Sequence, residues 1–131
     1  MLKTKSVWSP IESEADGLRI LATRFRGRGL PAGRYDVWMP SLGPSERLLR
    51  AVQAGGISWP RFATEYRAEL FKDGPIDADC PSIKNHGQKF TLRLIKWLAR
   101  SGHVTLMCHC DEDEEHCHRH VLQKLIQSPR V

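Results

Sequence analysis

Hydrophobic positions along this chain change their period several times, which predicts short strands alternating with helices. Over residues 18–25 the apolar residues form a short continuous run between glycines, a pattern typical of a buried strand. Residues 35–39 predict a second strand on similar grounds. Residues 103–110 show the clearest alternation of the chain and predict a third strand.

Apolar residues spaced three and four apart predict four helices. The first follows Ser45, whose hydroxyl suits an N-cap, and the others cover residues 59–70, 89–100 and 117–127. Residues 72–88 are polar and contain glycine and proline, so they are expected to form a long surface loop. The positions predicted to face the core in the last two helices are Leu92, Ile95, Leu98 and Ala99, and then Val121, Leu122, Leu125 and Ile126.

The order of these elements predicts the fold class. A helix, a strand and a second helix follow one another over residues 89–127, an order that favours a parallel sheet with helices packed against it. An α/β fold of two or three layers is therefore expected. Residues 1–16 are expected to be an irregular lead-in, with at most a short edge strand near Val7 and Trp8.

Length and composition exclude several classes of protein. A chain of 131 residues has the size of one domain, and its 40% of hydrophobic residues allows a real core, so disordered and collagen-like classes are excluded. No run approaches the roughly 20 apolar residues of a membrane span, and residues 1–16 lack the apolar segment of a signal peptide. We therefore expect a single domain over residues 1–131 that is cytoplasmic and has no membrane partner. Its four cysteines are then expected to be thiols, metal ligands or core residues instead of disulfides.

Positive charge is concentrated near the first predicted strand. The chain has 20 lysines and arginines against 15 acidic residues, a formal charge of +5 that permits an anionic partner without requiring one. Five arginines and no acid lie within residues 19–34. Gly27 and Gly29 would let the backbone approach an anion closely, while Arg24 and Arg28 would supply bidentate phosphate contacts. The spacing matches neither a Walker loop nor a dinucleotide-binding fingerprint.

A second candidate site is the cysteine- and histidine-rich segment that follows the third predicted strand. It contains five consecutive acids and runs into the amino end of the last helix, at the edge where α/β sheets bind ligands. Backbone N–H groups at a helix start favour anions and thiolates, so Cys117, His118 and Cys110 are the candidate catalytic residues. Arg119 would add a forked positive charge. Cys108 alternates with core residues and is equally well explained as a small buried hydrophobe.

The two candidate sites meet if the first and third predicted strands are neighbours. Arg24, Arg28 and Arg119 would then be able to converge on one anion. A cysteine-dependent phosphatase loop is disfavoured, because eight residues separate Cys110 from Arg119 and five of them are acidic.

The same segment permits a zinc site. Cys108 and Cys110 share one face of a strand, and Cys117 and His120 share one face of a helix, so four ligands for a tetrahedral ion are available. The spacing is not that of a CxxC knuckle, and the sequence favours no metal or other cofactor. A zinc-stabilised scaffold without catalysis remains an alternative.

Four stretches of the chain match a known family, namely residues 18–30, 38–48, 59–70 and 102–126. The most specific part consists of Val104-Thr105-Leu106, Asp113-Glu114-Glu115-His116 and Cys117-His118-Arg119. On these residues the chain resembles the DUF488 family, including its YeaO-like members. The resemblance implies a compact, Rossmann-like α/β domain and carries no established reaction with it.

The resemblance also marks individual residues. The family usually has Trp-Pro where this chain has Arg26-Gly27, a change that raises the local positive charge. The residues that match recurrent positions of the family are Arg24, Arg28, Cys117, His118 and Arg119.

Together these residues predict a cleft for a phosphate-bearing ligand, either a nucleotide or a nucleic-acid end. Hydrolase chemistry, transferase chemistry and simple binding all remain open, as does the oligomeric state. One alternative is a non-enzymatic nucleic-acid-binding module that uses the arginine loop. Of the four tryptophans only Trp8 is expected to be exposed, while Trp38, Trp59 and Trp97 are core candidates. The absence of an aromatic platform would weigh against single-strand binding.

Overall fold

Four parallel strands form one sheet in a computed structural model that describes residues 1–131. The sheet has the order β1-β4-β2-β3, so the last strand of the chain lies between the first two. In this register both Leu2 and Leu18 lie opposite Val104. The expected α/β fold with a parallel sheet is therefore confirmed. The strands are β1 (Leu2–Ser6), β2 (Leu18–Leu21), β3 (Val37–Trp38) and β4 (Val104–Cys108).

Four helices and one short helical turn flank the sheet. The N-cap prediction is confirmed, because the Ser45 hydroxyl accepts a hydrogen bond from the backbone N–H of Leu48. None of the helices has the length and apolar character that crossing a membrane requires. The helical segments are α1 (Ser13–Asp16), α2 (Glu46–Gln53), α3 (Trp59–Leu70), α4 (Lys89–Ser101) and α5 (His118–Gln127).

The core lies between the sheet and helices α3, α4 and α5. All five residues of β4 are buried, as expected of the central strand of a parallel sheet covered on both faces. The four core positions predicted in α5 are buried, and so are Leu92 and Ile95 in α4. The prediction for Leu98 is wrong, since 40% of this residue is exposed on the side of α4 that turns away from the core.

The expected irregular lead-in is wrong for its first residues, which form strand β1. The signal was hidden because Lys3, Thr4 and Lys5 make the strand polar, a common feature of sheet edges. The Lys5 ammonium donates to the Asp16 carboxylate over 2.9 Å in a buried ion pair. The Asp16 carbonyl in turn accepts a hydrogen bond of 2.6 Å from the Thr105 hydroxyl, which fixes α1 against β4.

The strands β2 and β3 are shorter than their predicted ranges. The chain leaves the sheet after Leu21 and then turns into the arginine-rich loop. The indole N–H of Trp38 donates to the carbonyl of Thr23 over 2.7 Å. A side-chain hydrogen bond therefore satisfies this carbonyl beyond the end of the β2–β3 pairing. The expected burial of Trp38 and Trp97 is also wrong, because 40% and 63% of these residues are exposed.

Candidate functional site: a three-cysteine pocket

Three thiols converge at the carboxyl end of the central strand. Cys108 ends β4, Cys110 follows in the loop, and Cys117 precedes the first residue of α5. Their sulfur atoms all lie within 4.8 Å of one another, and those of Cys108 and Cys117 are 2.8 Å apart. Because β4 lies between β1 and β2, this cluster sits at the centre of the sheet edge where α/β proteins bind ligands.

A fully buried guanidinium supports the thiol cluster. Arg119 donates from Nη1 to the Cys108 sulfur over 2.8 Å, and from Nη2 to the carbonyls of Asp111 and Glu112 over 2.9 and 3.0 Å. Its Nε has no hydrogen-bond partner. Burial lowers the pKa of Arg119, but the neighbouring sulfurs and the Glu112 carboxylate raise it by more. The cluster therefore lies beside a permanent positive charge.

The protonation of His118 follows from its hydrogen bonds. Its Nε2 lies 2.6 Å from the carbonyl oxygen of Ala22, which can only accept, so Nε2 carries the proton. The lone pair then lies on Nδ1, which is 4.0 Å from the sulfur of Cys117. Burial lowers the pKa of His118, so the imidazole is neutral at pH 7. His118 is therefore placed to accept a proton on the thiol side.

The pKa values of the three thiols are shifted in different directions, and that of the most accessible thiol is lowered. Hydrogen bonding from Cys108 and Cys117 lowers the pKa of Cys110, burial opposes this shift, and the charge of Arg119 lowers the pKa further. Hydrogen bonding with Cys110 raises the pKa of Cys108, and hydrogen bonding with Cys108 raises that of Cys117. Cys110 is half-buried while the other two thiols are buried, so the favoured thiolate is also the one that a reagent can reach.

A cavity of about 210 Å³ opens next to the cluster. Its wall is mostly apolar, with a few polar groups at the cysteine end, as is common in small-molecule sites. The lining residues are Thr23, Arg24, Phe25, Pro44, Leu49, Gln53, Cys108, His109, Cys110 and His118.

The structure brings only one of the three predicted arginines to this cavity. Arg24 lines it, donating from Nε to the carbonyl of Pro44 and from Nη2 to that of Gly43, which leaves Nη1 without an intramolecular partner. Arg28 is exposed in its loop and does not line the cavity. Arg119 lies buried behind the sulfurs.

His109 lines the same cavity, although the sequence did not single it out. Its Nε2 donates to the carbonyl of Arg26 over 2.8 Å, which ties the arginine loop to the end of β4. The ring also lies against Gly27, where a Cβ atom would meet the ring carbon Cε1 at 2.7 Å. The sequence feature that could have indicated a role for His109 is its position between Cys108 and Cys110 at the end of a predicted strand.

The three cysteines could together hold a metal ion. The fourth ligand of the zinc prediction, His120, does not join them, because its Nε2 donates to the carbonyl of Glu114 over 2.9 Å. The three sulfurs suit a soft or borderline ion, since thiolates are preferred ligands of zinc and copper(I).

Fold and site together define a small parallel α/β protein with a cysteine pocket at the carboxyl edge of its sheet. The chain belongs to the DUF488 family: the family model DUF488-N3a, described as the active DUF488-N3 subclade, matches residues 2–130. This match confirms the family that the sequence resembles. No curated protein and no solved structure matches the chain.

Proposed function

We propose that this protein is a thiol-dependent enzyme that acts on a small, phosphate-bearing substrate in the cavity beside the three cysteines. The observation that carries the proposal is the convergence of three sulfurs with a buried guanidinium behind them, where two of the sulfurs and a neutral imidazole line one cavity. Activated cysteines are found in such partly exposed, electropositive surroundings, whereas purely structural cysteines are buried and inert.

The proposed reaction has two steps, with Cys110 as the nucleophile, and it does not use the arginine-containing loop of cysteine-dependent phosphatases that the spacing of Cys110 and Arg119 disfavours. Its sulfur attacks the phosphorus atom, an S–P bond forms, and the bond to the leaving oxygen breaks with its electron pair passing to that oxygen. The leaving oxygen takes a proton from water, and the hydroxide so formed later takes the proton that His118 gains in the second step. In the second step water attacks the phosphocysteine, Nδ1 of His118 accepts the proton of that water, and phosphate is released with the thiolate restored.

The donors at the cavity support an anionic group such as a phosphate as the part of the substrate that binds there. The free Nη1 of Arg24 provides a planar N–H donor on one wall. The amino end of α5, which begins at His118, provides positive helix-dipole charge on the sulfur side. A nucleotide or a nucleic-acid end fits this proposal, because both present a terminal phosphate together with apolar ring surface for the cavity wall.

The thiol proposal is tested by alkylation with iodoacetamide at pH 6, followed by peptide mass spectrometry. An ordinary thiol with a pKa near 8.5 is less than about 1% ionised at that pH, whereas the proposed thiolate is fully reactive. Cys110 is expected to react at least about tenfold faster than Cys80, a half-buried thiol outside the cluster that serves as internal reference. The fast phase should vanish in Cys110→Ser and persist in Cys80→Ser. Equal rates at Cys80 and Cys110 would refute the activated thiol.

The phosphate part is tested separately by calorimetric titration with inorganic phosphate and adenosine monophosphate. Arg24→Ala is expected to weaken binding at least about tenfold, the loss of one charge-assisted hydrogen-bond donor. Arg28→Ala is the matched control, since it removes the same charge from the same loop outside the cavity lining. Equal effects of the two variants would show that only the net charge of the loop matters.

A metal centre is the second candidate function, and the three converging sulfurs are the observation that favours it. Zinc bound there would be held by Cys108, Cys110 and Cys117, and it would protect all three from alkylation. Metal analysis of the purified protein, with alkylation repeated after chelation, separates the two candidates. Stoichiometric zinc with protected thiols would favour the metal centre, whereas metal-independent fast alkylation of Cys110 supports the enzyme.

A further inference from the structure

Helix α4 exposes an unusual set of large apolar side chains. Phe90, Leu94 and Trp97 are 54%, 56% and 63% exposed, and they occupy one face at i, i+4 and i+7. That face turns away from Leu92 and Ile95, which anchor the helix in the core. Monomeric proteins rarely expose a contiguous apolar patch of this kind without a partner for it.

A stripe of positive charge runs along α4 beside the apolar face. Lys89, Arg93, Lys96 and Arg100 follow the spacing i, i+4, i+7 and i+11, so they form a second row parallel to the first over three helical turns. None of the four forms an ion pair with an aspartate or glutamate side chain. Two of them instead donate to oxygens of the last residues: Lys96 Nζ to the carbonyl of Ser128 over 3.0 Å and Arg93 Nε to an oxygen of Val131 over 3.4 Å. The sequence offers no acidic side chain nearby, because residues 80–110 contain no aspartate or glutamate.

The two rows are in direct contact. The guanidinium carbons of Arg93 and Arg100 lie over the rings of Phe90 and Trp97, each 5.4 Å from the ring centroid. A cavity of about 240 Å³ lies along the cation row, lined by Arg93, Lys96, Trp97, Arg100 and Val131. Aromatic rings are therefore exposed to solvent next to cations that have no carboxylate side chain as a partner.

We propose that this face of α4 binds single-stranded nucleic acid, with the cation row along the phosphates and the bases stacked on Trp97 and Phe90. Single-strand binders combine a positive track with exposed aromatic rings in this way. A protein partner would need both an acidic row and an apolar row in matching register, whereas a single strand carries a uniform row of charge beside a row of flat rings. None of these α4 residues lines the cysteine pocket, so the inference is independent of the proposed enzyme activity.

The exposed ring of Trp97 supplies the aromatic platform that the sequence did not predict and that single-strand binding requires. Of the four tryptophans the sequence predicted only Trp8 to be exposed, and Trp97 is in fact the more exposed of the two. The surface also differs from the one first considered for nucleic acid, which was the loop containing Arg24 and Arg28.

Fluorescence anisotropy with a labelled oligodeoxythymidine of about 15 nucleotides tests the proposal over a range of salt concentrations. Trp97→Ala is expected to weaken binding at least about fivefold without changing the salt dependence, because it removes stacking alone. Arg93→Ala with Arg100→Ala should reduce the slope of log K against log salt by about 1.4. The matched control pair is Arg50→Ala with Arg61→Ala, which removes two exposed arginines from other helices.

Three outcomes would overturn the proposal. The first is no binding of the oligonucleotide at low salt, and the second is equal loss of affinity in the control pair and the α4 pair. The third is binding of phosphatidylserine vesicles, but not of the oligonucleotide, with a loss in Trp97→Ala, which would assign the face to an anionic membrane surface instead. All variants lie at the surface, and circular dichroism of each variant checks that it folds before its binding is compared.

Discussion

The guanidinium of Arg119 donates a hydrogen bond of 2.8 Å to the sulfur of Cys108, although both residues are buried. One side chain comes from the first turn of α5 and the other from the last residue of β4. The contact therefore joins the candidate site to the centre of the core. Changes at the site are expected to appear in stability as well as in chemistry.

Arg119→Ala is expected to destabilise the fold by about 3 kcal/mol or more, because it opens a cavity and leaves the Asp111 and Glu112 carbonyls without their donor. Arg119→Lys should lie between the wild type and the alanine variant, since one ammonium cannot replace a forked donor. Urea unfolding followed by circular dichroism measures both. A wild-type midpoint for Arg119→Ala would contradict the structural role of this residue.

Asp16→Asn is expected to cost about 3 kcal/mol, because it leaves the Lys5 ammonium without its buried partner. Burial alone would raise the pKa of Asp16, but the backbone N–H of Glu12 and the ammonium of Lys5 lower it overall. The ion pair therefore contributes stability at neutral pH that is lost as the pH falls through the lowered pKa. Lys5→Met combined with Asp16→Asn should recover part of the loss, and a purely additive double mutant would contradict the pairing.

His118→Gln is expected to make the protein less sensitive to mild acid. Burial lowers the pKa of His118, so the unfolded chain binds a proton below pH 6.5 that the folded chain excludes. Stability is therefore lost as the pH falls below that value, and glutamine, which does not titrate, removes this contribution. Other titratable groups around the ring, namely Cys110, Arg119 and His109, are retained in the variant. Urea midpoints at pH 7.5 and 5.5 should differ more in the wild type, and parallel shifts would argue against a buried neutral imidazole.

Gly27→Ala is expected to destabilise the protein more than Gly29→Ala. Both glycines have positive φ, of 87° and 76°, so alanine is strained at either position by about 1 kcal/mol. Only at Gly27 would the added Cβ also strike His109, since nothing lies within 4 Å of the corresponding position at Gly29. The difference in thermal midpoint between the two variants measures the contact with His109. Identical midpoints would mean that the ring moves aside freely.

Local patterns in the sequence predicted the four longer helices well, and they left the meeting of the cysteines as one of several open alternatives. Helix α3 covers its predicted range of residues 59–70, and α5 begins one residue after its predicted start. Local patterns did not predict contacts that are made over long sequence distances. The polar strand β1 is stabilised by pairing with β4 and by the ion pair with Asp16. Both partners lie outside residues 2–6, so the local hydrophobic pattern of this strand does not reveal them.

The same limit explains the misplaced side chains. Arg119 was expected at the anion cleft because arginine usually reaches solvent, yet the carbonyls of the acidic loop draw it inward. Trp97 was expected in the core because tryptophan is usually well buried, yet three other positions of α4 already fill that face. Which hydrogen-bond partners a side chain finds, and which side chains fill the core, depend on the assembled fold and cannot be predicted from local sequence alone.

The placement of β4 between β1 and β2 has a consequence for how the chain folds. Leu2 pairs opposite Val104, so this edge of the sheet joins residues from opposite ends of the chain. Strands β1 and β2 have no direct pairing with each other and depend on β4 to join them. Such non-local pairing raises the contact order and slows folding. During synthesis the sheet can therefore be completed only after β4 has emerged, and the thiol cluster only after Cys117 has followed it.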